Sequence, residues 1–63
     1  MSTKTSAKIA ANLIASANAA RTPAAAEGVH LAYAVAKAEM TTIDAMRALG
    51  AIEAAKRAVR VAA

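Results

Sequence analysis

Twenty-two of the 63 residues are alanine, and there is no Phe, Trp or Cys. Alanine is the best helix former known, so a chain one-third alanine is helical almost wherever nothing interrupts it. A methyl group also fills little space, which lets helix axes approach closely but yields little from each buried side chain. No segment alternates apolar and polar residues with period two, and no hairpin dipeptide occurs, so strands are not expected. The expected fold class is all-α: one helical domain over residues 1–63, built as an antiparallel bundle of three helices.

Two breaks divide the chain, at Thr22-Pro23 and at Thr41-Thr42. The first helix is expected from about Ser6 to Arg21, with Thr5 or Ser6 as N-cap. At 100° per residue Ile9, Ala10, Leu13, Ile14, Ala17 and Ala20 share one arc, and Lys8, Asn12, Ala15 and Ala19 lie opposite. Thr22 followed by Pro23 reads as an N-cap with proline in the first turn. That second helix is expected to reach about Met40. Its polar face carries Glu27, His30, Ala34 and Lys37. Its apolar arc is wide, with Leu31 and Val35 on one side and Val29, Tyr33 and Met40 on the other. The width predicts contact from two directions and hence a central position. Thr41 with Asp44 three residues on reads as a short capping box for a third helix ending near Val61.

Small residues recur at spacing four in all three helices: Ala7 to Ala19, then Ala24, Gly28, Ala32 and Ala36, then Gly50, Ala54, Ala58 and Ala62. Such rows form a helix ridge that allows close backbone approach. Glycine inside a helix costs about 1 kcal/mol relative to alanine, and close packing is a reason to keep Gly28 and Gly50. In the first helix the small row lies away from the Ile9/Leu13 stripe, so that helix would pack on two sides. A chain of 6.3 kDa with a methyl-rich interior is marginal alone. These observations together predict a homo-oligomer joined through Ala24, Gly28, Ala32, Ala36, Gly50, Ala54 and Ala58, with Tyr33 as an interface or core aromatic.

Chemistry is sparsely represented. His30 is the one histidine, with Glu27 a turn before it, and the pair reads as part of a solvated helix face. There is no cysteine, no metal-ligand spacing and no glycine-rich phosphate loop. No enzyme activity, cofactor, metal or small-molecule substrate is expected. Ile9 to Ala20 is the longest charge-free stretch, twelve residues with two asparagines and a serine, too short and polar to span a bilayer. Lys4, Lys8 and Ala17-Asn18-Ala19 outline a signal peptide, but the apolar run between them is weak. The expected location is the cytoplasm, or an assembly such as a virion.

The formal net charge is +4. Residues 1–21 carry +3, residues 22–41 carry −1 and residues 42–63 carry +2. Arg47, Lys56, Arg57 and Arg60 are therefore candidate nucleic-acid contacts. Residues 31–50, with Val35-Ala36-Lys37-Ala38, Met40-Thr41-Thr42 and Ala45 to Leu49, resemble the helix-turn-helix of small bacterial regulators, although Glu39 stands where glycine is usual. The resemblance implies that Thr42, Asp44 and Arg47 face solvent, ready for a DNA major groove. The expected function is thus a non-catalytic, self-associating structural or interaction subunit of bacterial or phage type. The alternative is a small DNA-binding regulator.

Overall fold

The computed structural model describes residues 3–62. Helix α1 spans Thr3–Ala19, α2 spans Pro23–Ala36 and α3 spans Thr42–Ala62. A single 3₁₀ turn, Lys37–Glu39, links α2 to α3. Helix α1 begins three residues earlier than the sequence suggests, so neither Thr5 nor Ser6 caps it. Helix α2 ends at Ala36, short of Met40, because Met40 is already extended (φ −109°, ψ 150°) to lead into the next cap. The expected cap at Thr22 is formed, its hydroxyl accepting from the Ala25 N–H at 3.1 Å.

The three helices run up, down and up. Glu27 near the start of α2 meets Lys56 late in α3, so these two are antiparallel. Ser6 near the start of α1 meets Asp44 near the start of α3, so those two are parallel. The result is a rod of 39 × 16 × 15 Å.

The interior is a narrow seam. In α1 and the residue after it, Ser6, Ala10, Leu13, Ala17 and Ala20 are buried, at alternating steps of four and three. In α3 the same rhythm places Ala45, Ala48, Ile52 and Val59 inside, with Ala55 half-buried between the last two. That alternation is the a/d pattern of coiled-coil packing. Helix α2 contributes Ala26, Val29 and Tyr33, and Met40 follows beyond it.

Helix α3, not α2, is the central element: it packs against α1 and α2 along its length, while α1 and α2 share less contact. It is also the longest helix, at 21 residues. Because α1 and α3 lie side by side, one face of α2 meets both. Only the Val29/Tyr33/Met40 side of its wide apolar arc is turned inward. The other side is left in solvent, with Leu31 63% and Val35 83% exposed.

Candidate functional site

Two polar clusters and two outer faces give this smooth rod its distinguishing features. The first cluster joins α1 to the start of α3. The Thr41 N–H donates to the Ser6 hydroxyl at 2.8 Å, and that hydroxyl donates to Asp44 Oδ2 at 2.7 Å. The Asp44 N–H in turn donates to Thr41 Oγ1 at 3.2 Å. In an ordinary capping box the acid reaches back to the cap's own N–H. Here the Ser6 hydroxyl stands between the two halves, so the box closes through another helix. The donated Ser6 hydroxyl holds the Asp44 carboxyl below the usual aspartate range; burial opposes this, and Thr41 and Arg47 add to the lowering.

This arrangement changes two sequence expectations. Ser6 is a fully buried link between helices rather than an N-cap. Asp44 is buried and paired with Ser6 and with Arg47 at 3.2 Å, so it does not face solvent. A helix-turn-helix also sets its two helices at about 90–120°. Here α2 folds back along α3, with Pro23 and Ala26 beside Val59 and Arg60.

The second cluster lies toward the other end. Lys56 Nζ lies 3.2 Å from Glu27 Oε2 and contacts His30 Nδ1. The His30 ring meets Tyr33 edge-on, with centroids 6.1 Å apart. Glu27 and His30 therefore do share a helix face, as read from the sequence. Lys56 reaches them from 26 residues away. The cluster works as a clamp between α2 and α3, with the lysine held between a carboxylate and an imidazole. Among the described residues no group of three His, Cys, Asp or Glu side chains could hold a metal ion, and no helix is long and apolar enough to cross a membrane.

Of the basic candidates, Lys56 is thus engaged within the chain and Arg47 is paired with Asp44, though its side chain is 59% exposed. Arg57 and Arg60 are exposed at the far end of α3, beside Val61. Among the interface candidates Tyr33 is in the core and Ala36 is half-buried. Ala24, Gly28, Ala32, Gly50, Ala54 and Ala58 all lie at the surface. The side chain of Ala62 lies outside the described ones. No close approach within the chain calls for either glycine, since a Cβ at Gly28 or Gly50 would meet nothing within 4 Å.

The outer faces carry as many large apolar side chains as the interior. Six of the buried apolar residues are alanines (10, 17, 20, 26, 45 and 48), beside Leu13, Tyr33, Met40, Ile52 and Val59, whereas Leu31, Val35, Ile43, Met46 and Val61 are each more than 60% exposed. On α2, Ala24, Gly28, Leu31 and Val35 form one outward stripe. On the opposite side, a groove between α1 and α3 is lined by Ala17, Asn18, Arg21, Ala54, Ala55 and Ala58. The accessible surface, 4165 Å², exceeds by roughly a tenth the ~3,700 Å² that scaling gives for a compact monomer of this mass. Compared with family models, with curated proteins and with solved structures, the chain matches none of them.

Proposed function

We propose that this protein is a non-catalytic helical subunit, structural or adaptor in role, that assembles with copies of itself. The observation that carries the reading is the set of large apolar side chains left outside an alanine-rich core: Leu31, Val35, Ile43 and Met46. Burying a fully exposed Leu, Ile, Val or Met side chain is worth about 1.5–3 kcal/mol. A lone chain forgoes that gain at each of these positions, and a neighbour recovers it. A stable interface removes about 600–1,000 Å² from each partner, roughly a fifth of the 4165 Å² available here. Assembly is then the source of most of the stability that a methyl-lined core lacks.

The test is sedimentation equilibrium from micromolar to millimolar protein, with and without random duplex DNA. A concentration-dependent rise in mass without DNA is expected. A monodisperse 6.3 kDa species throughout removes the proposal. Binding to duplex with a steep salt slope, by chains that stay monomeric alone, would favour a nucleic-acid role for Arg57 and Arg60 instead.

A further inference from the structure

We infer that Lys56, His30 and Glu27 form a proton-operated latch: one proton taken up by the His30 ring releases the polar tie between α2 and α3. Hydrogen-bond roles fix the closed state. Lys56 Nζ contacts His30 Nδ1. An ammonium group can only donate, so Nδ1 is the acceptor and the ring's own proton is on Nε2. That bond exists only with a neutral imidazole. Histidine is the side chain whose charge changes between about pH 5 and about pH 8. A proton on Nδ1 removes the lone pair that Lys56 uses and sets two cations in contact. The Lys56 side chain is 25% exposed, and partly buried charges are screened much less than exposed ones.

The neighbours of the ring decide the direction of the response. On α2, Glu27 lies one turn before His30 and Lys37 two turns after it. Tyr33 meets the ring edge-on, and phenols carry no charge over this pH range. On α3, Lys56 touches the ring, with Glu53 and Arg60 about one turn to either side of it and both exposed. Helix α1 brings only Lys4 and Lys8, which lie within a turn of Ser6, about 18 Å along α3 from Lys56. Lys56 is thus the charged group in contact with the ring, so closing the latch and charging the ring oppose each other.

Once the ring is charged, Glu27 is the carboxylate that both cations share. Turned toward His30, it makes a pair within α2, and Lys56 loses the ring as an anchor. The first half of α2 is then held on α3 by the small apolar cluster of Ala20, Ala26 and Val59. The latch acts within one chain and does not depend on self-association.

Thermal melts at low micromolar protein test this, at about pH 7.5 and about pH 5. His30→Gln keeps an acceptor for Lys56 but takes up no proton. The other carboxylates titrate alike in both proteins, so the gap in melting temperature isolates the ring. From the higher pH to the lower, wild type should lose about 2–6 °C relative to His30→Gln. In a Lys56→Met background that loss should vanish. A gap that is constant or moves the other way overturns the latch, and so does a loss that persists without Lys56. The wild-type protein supplies a check that needs no variant. Nuclear Overhauser contacts between the His30 ring and the Lys56 ε-methylene should be present at the higher pH and absent at the lower; contacts that persist at both overturn the inference.

Discussion

Replacing Ser6 with alanine tests the closed box at the start of α3. The hydroxyl is fully buried and makes two bonds, accepting from the Thr41 N–H and donating to Asp44. At about 0.5–1.5 kcal/mol for each bond, Ser6→Ala should lower stability by about 1–3 kcal/mol. For a domain of this size, 1 kcal/mol corresponds to a shift of about 4–8 °C in melting temperature. Because the folded Asp44 carboxyl sits below its unfolded value of about 3.9, the carboxylate contributes stability above that pH. The contribution fades as pH falls through the lower folded value. Ser6 is the largest cause of the lowering, so the gap between wild type and Ser6→Ala should be full at neutral pH and narrow as pH falls through the lowered folded value. Urea unfolding followed by far-UV circular dichroism, at one low protein concentration, measures both quantities. A difference below about 0.3 kcal/mol at neutral pH would show that the relay contributes nothing, and a larger one that ignores pH would show that Ser6 does not act through the Asp44 carboxylate.

Two further substitutions examine the seam and its surface. Ile52→Ala empties the largest fully buried apolar side chain, at a cost of about 2–5 kcal/mol. That is comparable to the whole stability expected of 63 residues, about 3–9 kcal/mol, so thermal melts should show most of the helix signal lost near room temperature. Gly28→Ala adds a methyl group in open space and should raise the dilute-solution stability by about 0.5–1 kcal/mol. The same substitution should weaken assembly, so melting temperature should rise at micromolar and fall at millimolar protein. A rise at both concentrations would mean that Gly28 faces no neighbour.

The sequence discloses what local chemistry decides. Thr22 before Pro23 and Thr41 before Asp44 each mark a helix start, and both threonine hydroxyls accept the expected N–H three residues on. Leu13, Ala10 and Ala17 lie on the inner face of α1 as their spacing indicates. What could not be read along the chain depends on separation. The Ser6–Asp44 bond spans 38 residues, and Lys56 meets His30 across 26. Helical periodicity identifies an apolar arc but not which side of it turns inward, so α2 offered Leu31/Val35 and Val29/Tyr33 on nearly equal terms. Placing two helices side by side settled that choice in favour of the tyrosine. The surface of the molecule was legible in part: Ala24, Gly28, Ala32, Gly50, Ala54 and Ala58 of the small rows fall on outer faces, while Ala36 packs against the core.

The methyl-lined seam has a mechanical consequence. Where the corrugation is built from alanines it is shallow, so it resists axial sliding of neighbouring helices less than a leucine-rich one. Beside the large buried side chains, two polar pins about 18 Å apart along α3, at Asp44 and Lys56, oppose sliding, since twelve residues advance a helix by about that much. Directional bonds set the axial alignment that bulky knobs provide in a leucine-rich bundle. Without both pins, the rod would keep its helices yet lose its single alignment, and its amide resonances would multiply.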